Sequence, residues 1–292
     1  MKRISLLFLA ISCCITVAAQ KAGELPSHTF KSGGIERTYK LYIPDNLAED
    51  SPLVFVLHGY GASADPDRYG MNPVAGKYGF AVCYPQGERD GRGSTCWNVG
   101  YPFQSDMAID DVEYLCSLAG YLQEKHHLSR RNTFCTGLSN GGEMCYLLAY
   151  KRPDVFSAVA PVAGLTLEWM YRELDAQKPV PLLEIHGTED KTSLWNGDPE
   201  NTGGWGSYIA VPLAVGYWAA RAGCTHEVRD TITTQVQSPP GGRIIRHKYV
   251  NGTGGCQVWL YEIEGGGHSW TVKDMDTAEH VWNFFSKFVT KN

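Results

Sequence analysis

The chain has 292 residues, 43% of them hydrophobic and 20% charged, with a formal net charge of −5. Those values suit a globular enzyme built on one large core. No run of Lys or Arg offers the clustered positive charge that a nucleic-acid surface requires.

Residues 1–19 read as a secretory signal peptide. Lys2 and Arg3 make a basic start, residues 4–17 form an apolar stretch too short to span a bilayer, and Val17-Ala18-Ala19 supplies small residues before a cut ahead of Gln20. A lipoprotein signal ending at Cys13 or Cys14 is the alternative, but Ala10-Ile11-Ser12 fits a lipobox poorly. Residues 20–292 are then expected to form a single domain that is secreted or periplasmic, with no later membrane span. Seven cysteines follow: Cys83, Cys96, Cys116, Cys135, Cys145, Cys224 and Cys256. Some should pair in an oxidising compartment, and an odd number leaves at least one free. Cys83, Cys135 and Cys145 lie in apolar runs and read as buried thiols. Cys-x-x-Cys spacing is absent, so no structural zinc is expected.

In chain order, 37–44 (RTYKLYIP) alternates like an early strand. The run 53–57 (LVFVL) is continuously apolar, as in a strand buried on both faces, and breaks at His58-Gly59-Tyr60-Gly61. A second buried run, 80–84 (FAVCY), ends at Pro85. Apolar residues at helical spacing mark 108–126, with Asp110 and Asp111 suited to its start. Residues 132–138 (NTFCTGL) read as a third core strand running into Ser139 and a helix over 142–150. Strands are expected over 155–162, 180–185 and 257–263, and helices over 208–222 and 277–289. The stretches 197–206 and 238–255 are the loosest. Strands alternating with helices imply an α/β fold, a mainly parallel sheet with helices on both faces.

Gly137-Leu138-Ser139-Asn140-Gly141 fits Gly-x-Ser-x-Gly, a strand-to-helix turn that projects a nucleophilic hydroxyl, its glycines letting strand and helix approach. A β-rich run before it and a helix-forming run after it supply the required context. Serine needs a base, and the base an orienting carboxylate, in the chain order Ser, acid, His. After a strand, Ile185-His186-Gly187-Thr188-Glu189-Asp190 offers Glu189 or Asp190, and the shorter Asp190 is favoured. The base candidate is His268, on the glycine-rich loop Gly265-Gly266-Gly267-His268 before the last helix. His280 and His247 fall inside a helix and a strand pattern, and His186 reads as shaping the acid loop. His58 to Gly61 follow the first buried strand, where an oxyanion loop belongs. The backbone N–H groups of Tyr60 and Asn140 are the expected donors, with Gly61 as the alternative to Tyr60. Trp97, Tyr101, Phe103, Trp195, Trp205 and Trp270 lie near strand ends, and Trp97, Trp195 and Trp270 are the substrate-binding candidates.

LVFVLHGYG, FAVCYPQG, AIDDVEYL, TFCTGLSNGG, FSAVAPVAG, LLEIHGTED and IEGGGHSW together resemble carbohydrate esterase family 1, in the branch holding feruloyl esterases, acetyl xylan esterases and polyhydroxybutyrate depolymerases. The likeness runs from about Ser32 to the end of the chain. It implies an α/β-hydrolase fold with Ser139 as nucleophile, Asp190 as acid partner and His268 as base, and no metal or cofactor. It also implies a Cys224–Cys256 disulfide, closing roughly 30 residues for about 3–4 kcal/mol. Two positions depart from the family pattern: Thr271 follows Trp270 where Pro is common, and Ser129 stands near where an Asp is usual. The expected reaction is hydrolysis of feruloyl esters on plant xylan side chains, with an ester-decorated polysaccharide or oligosaccharide as partner. Acetyl xylan esters and then short polyesters are the alternatives. A peptidase of related fold would carry a propeller domain, for which the chain has no room. A non-catalytic binding protein on this fold would usually lack one of the three catalytic residues, all of which are present.

Overall fold

The computed structural model describes residues 25–176, 178–233, 243–273 and 275–291. The signal-peptide expectation lies outside the described residues. Twelve strands and six α-helices alternate along them in this order. First come β1 (Ser27–Ser32), β2 (Ile35–Tyr42), β3 (Leu53–Leu57), α1 (Met71–Tyr78) and β4 (Ala81–Pro85). Next are β5 (Glu88–Arg89), β6 (Thr95–Cys96), α2 (Asp111–Lys125), β7 (Thr133–Leu138), α3 (Asn140–Lys151), β8 (Ala158–Val162) and α4 (Glu168–Glu173). The chain closes with β9 (Leu182–Gly187), α5 (Val211–Arg221), β10 (His226–Thr233), β11 (Arg243–Val250), β12 (Val258–Ile263) and α6 (Thr277–Phe285).

Ten strands make one sheet in the order β1-β2-β4-β3-β7-β8-β9-β12-β11-β10. The inner six run parallel, from β4 through β12, and antiparallel pairs close both edges. β3, β4, β7, β8 and β9 are buried at every position; β3, β4 and β8 are apolar throughout, whereas β7 buries Thr133 and Thr136 and β9 buries Glu184 and His186. Side chains still alternate between faces. Leu53, Phe55 and Leu57 join the core beneath α2, α3 and α5, while Val54 and Val56 join the one beneath α1 and α6. Phe80 stacks on Trp282 at 3.9 Å, tying α6 to the second face. Each such fully buried large side chain contributes roughly 1.5–3 kcal/mol.

Besides β1, β5, β6, β10 and α4, which the sequence reading does not mark, three features depart from it. The short helix α1 falls in MNPVAGKY, where Pro73 and Gly76 hide the periodicity, and Gly79 ends it at φ 75°. Strand β11 occupies much of 238–255, expected to be loose, because pairing with both β10 and β12 overrides its charged composition. The Cys224–Cys256 disulfide is absent. Both are free thiols, with Cys224 Sγ directed at the Tyr249 carbonyl (3.5 Å) and Cys256 Sγ at that of Pro179 (4.0 Å). Cys83, Cys135 and Cys145 are buried free thiols as expected.

The parallel core points the carboxyl ends of β3, β7, β9 and β12 to one edge of the sheet, the edge at which open α/β sheets bind ligands. His58, Ser139, Asp190 and His268 all follow those ends. Among the described residues, no helix is long and apolar enough to cross a membrane.

Candidate active site

Ser139 sits between β7 and α3 with φ 57° and ψ −122°, a conformation that non-glycine residues rarely adopt. Its amide donates to the Val162 carbonyl at 2.8 Å and its carbonyl accepts from Glu143 N at 2.9 Å, so both neighbours hold the turn. A Cβ on Gly137 would lie 2.7 Å from the Gly141 backbone, and one on Gly141 would lie 2.4 Å from the Leu57 carbonyl oxygen. Only glycine permits this close crossing, which is the physical content of the sequence motif.

Asp190 is 2% exposed on the loop after β9. Its Oδ1 accepts the amides of Thr192 and Ser193 at 2.8 Å each, and its Oδ2 lies 2.7 Å from His268 Nδ1. Burial alone would raise its pKa, but the hydrogen bond and charge of His268 and the two amides outweigh that and hold the carboxyl below its ordinary range. The loops carrying Asp190 and His268 are laced together because β9 pairs with β12, Gly187 opposite Ile263. Glu189 N donates to the Gly266 carbonyl (2.9 Å), and a Cβ on Gly187 would lie 2.2 Å from that same oxygen. His268 keeps 23% of its side chain exposed and shares a cleft of about 320 Å³ with Ser139, Tyr60, Arg68, Trp270 and Thr271. The other histidines weighed from the sequence stand apart. His247, on β11, pairs with Glu227 on β10 and Glu262 on β12, and His280 lies within α6.

His58 braces the loop facing Ser139. Its Nε2 accepts the Gly87 amide and the Gln86 side chain, both at 2.9 Å, so the proton resides on Nδ1, which donates to the Gly59 carbonyl at 2.8 Å. Burial lowers its pKa from 6.5 to about 4, so the ring is neutral. The Gly59–Tyr60 peptide is one planar trans unit; fixing the Gly59 oxygen toward His58 turns the Tyr60 N–H the opposite way. Gly61 N is committed to the Thr95 carbonyl at 2.7 Å, which removes Gly61 as the alternative donor. Asn140 opens α3, so its N–H has no acceptor within the helix. Its side chain grips the Trp97 backbone, accepting from Trp97 N at 2.7 Å and donating to Trp97 O at 3.1 Å.

The aromatic candidates divide. Trp97 is completely buried with Nε1 on the His58 carbonyl, so it supports the loop and presents no surface to substrate. Trp195 is half-buried and edge-on to His186 at 6.0 Å. Trp270 lines the cleft, with Nε1 on the Tyr69 carbonyl and its ring edge-on to Tyr69. Tyr60 extends an aromatic cluster out of the cleft, edge-on to Phe103 (5.7 Å) and Trp205 (5.3 Å). Its hydroxyl donates to Asp90 at 2.6 Å. Arg68 and Thr271 also line the cleft, and no motif marked either one. Among the described residues, no group of three or more His, Cys, Asp or Glu side chains is gathered to hold a metal ion.

A serine on a strained strand-to-helix turn, a histidine held by a buried aspartate and a braced backbone loop can together carry acyl transfer. This fold and site define a serine-type carboxylic ester hydrolase. The pattern of the family described as "Esterase PHB depolymerase" matches residues 37–177. The chain is 30% identical over 252 residues to "Putative esterase NocK" of Nocardia uniformis subsp. tsuyamanensis, covering 81% of this chain and 71% of that one. It is 25% identical to feruloyl esterase D of Neurospora crassa, covering 97% of this chain and 96% of that one. In three dimensions it is similar to the acetyl xylan esterase of Aspergillus awamori, with a TM-score of 0.64 and 17% identity over 91% of this chain and all of that one. The chain belongs to the esterase PHB depolymerase family and has an α/β-hydrolase fold.

Proposed function

We propose that the protein is a secreted feruloyl esterase acting on the side chains of plant xylan, with Ser139, Asp190 and His268 as its triad. The observation that carries the triad is the 2.7 Å contact between Asp190 Oδ2 and His268 Nδ1, with His268 and Ser139 on one cleft. His268 takes the Ser139 proton as the hydroxyl attacks the ester carbonyl. The N–H groups of Tyr60 and Asn140 receive the oxyanion. His268 then gives that proton to the departing sugar oxygen, which leaves as a hydroxyl, and water releases the acid by the same path.

The aromatic cluster of Tyr60, Phe103 and Trp205 supports a hydroxycinnamoyl acyl group, which can lie against those rings at a gain of about 0.5–1.5 kcal/mol per ring pair. The basic and apolar segments of residues 2–17 support export. Purified protein should turn over methyl ferulate faster than an acetyl ester or a hydroxybutyrate oligomer. Preference for the acetyl ester by orders of magnitude overturns the feruloyl assignment and leaves the triad standing.

A further inference from the structure

Beneath the triad lies a buried chain of ionisable groups that the acyl-transfer steps do not use. His186, on β9, is 1% exposed. Its Nε2 lies 2.8 Å from the Ser193 carbonyl, an atom that can only accept, so Nε2 carries a proton. Its Nδ1 lies 2.9 Å from Glu184 Oε1. Glu184 is itself completely buried, and besides His186 it receives the Tyr146 hydroxyl on Oε2 (2.9 Å) and the Gly164 amide on Oε1 (3.3 Å). Two donors besides His186, the Tyr146 hydroxyl and the Gly164 amide, act against the burial that raises the pKa of Glu184 and favour the carboxylate; an ionised Glu184 places the second proton on the His186 ring. His186 Nε2 is also 3.7 Å from Asp190 Oδ2, the same oxygen that meets His268 Nδ1 at 2.7 Å.

We propose that His186 is a positioning residue of the triad: an imidazolium locked between Glu184 and Asp190, fixing the aspartate and offsetting part of its charge. The proposal rests on the triad reading above. An imidazole with an acceptor at each nitrogen is anchored at both ends, so it holds the Asp190 loop against β9. Its charge lies beside the aspartate and the Glu184 charge lies on the far side. That orientation tempers the negative charge that Asp190 presents to the His268 ring. The other groups around the pair include the phenols of Tyr146 and Tyr208, the Trp195 ring and, next to Glu184, the carboxyl of Glu143 and the thiol of Cys145. None of them is a cation, so among these groups His186 alone can compensate the buried carboxylates. Burial by itself would lower the pKa of His186; the Glu184 bond and charge, the Ser193 carbonyl and Asp190 together raise it.

The test compares wild type, His186→Gln and Glu184→Gln in hydrolysis of p-nitrophenyl acetate across pH 5–9. Both substitutions remove the positive charge beside Asp190. The acidic limb of kcat/KM should move upward by about one pH unit, and kcat should fall about 10- to 100-fold with KM nearly unchanged. A lowered kcat with the limb in place would mean that His186 only packs, which overturns the proposal. If His186→Gln fails to fold, Glu184→Gln carries the same comparison. Histidine ¹⁵N shifts of the wild-type protein give a second readout: one buried ring should stay doubly protonated at pH 8. A neutral ring there overturns the proposal without any variant. Ser139→Ala separates the two readings, because residual activity in that variant removes the triad itself, whereas an unmoved limb removes only the role of His186.

Discussion

Glu143 supplies the most quantitative prediction of the structure. It lies one turn into α3 beyond Ser139, 1% exposed, with the Tyr101 hydroxyl donating to its Oε2. Burial, with a smaller contribution from the charge of Glu184, raises its pKa from 4.5 to about 8, against the opposing effects of Tyr101 and Asn140. The folded value lies above the unfolded one. The stability linked to this group is therefore complete below pH 4.5 and lost as pH rises through 8. At about 1.4 kcal/mol per unit, the loss reaches about 3–4 kcal/mol at pH 7 and about 5 kcal/mol by pH 9. Glu143→Gln keeps a carbonyl for Tyr101 and cannot ionise. Urea unfolding followed by tryptophan fluorescence should give matching stabilities for variant and wild type near pH 4.5. The variant should lead by about 3 kcal/mol at pH 7, or roughly 6 °C in Tm, and by more at pH 9. A difference that stays constant between pH 4.5 and 9 would refute the reasoning, because it would show that the carboxyl does not change its proton in that range.

The remaining predictions concern the site. Ser139→Ala should lower kcat by about 10⁴- to 10⁶-fold and abolish fluorophosphonate labelling while leaving the fold intact, as circular dichroism would show. Gly187→Ala should cut activity and lower Tm together, because its Cβ would collide with the Gly266 carbonyl; Gly267→Ala, with open space around its Cβ, should change neither. His58 has a folded pKa depressed to about 4 from 6.5, so its contribution is present above pH 6.5 and lost as pH falls toward 4. The stability advantage of wild type over His58→Gln, measured by urea unfolding, should shrink over that window by up to about 3 kcal/mol. Trp205→Ala should raise KM for methyl ferulate about 3- to 10-fold and leave turnover of an acetyl ester unchanged; equal effects on both esters would contradict the aromatic acyl subsite.

The order of the site was written in the sequence because each part depends on local chemistry. Gly137, Ser139 and Gly141 announce a turn that only glycines allow, and Asp190 and His268 each follow a run that reads as a strand. The triad candidates, the parallel sheet and the place of the oxyanion loop follow from such short-range patterns. What local pattern could not settle is which side chains meet across the sheet. Trp97, Tyr60 and Trp205 look alike in sequence, each an aromatic in a loop, yet the structure buries Trp97 under His58, sets Tyr60 on the cleft and packs Trp205 against Tyr60. The cysteines show the same limit: likeness to a family suggested Cys224 and Cys256 as partners, but the folded positions turn each thiol to a different carbonyl. Gly61 stayed open as the alternative to Tyr60 in the sequence, and it is the Thr95 carbonyl that takes the Gly61 amide. The Glu184–His186–Asp190 chain is likewise tertiary, because it needs β9 beside α3 and the histidine loop to bring Tyr146 and His268 to its two ends. Sequence determined which groups could do the chemistry, since that depends on residue type and backbone freedom. Tertiary structure decided their ionisation and partners, since those depend on burial and on neighbours far apart in the chain.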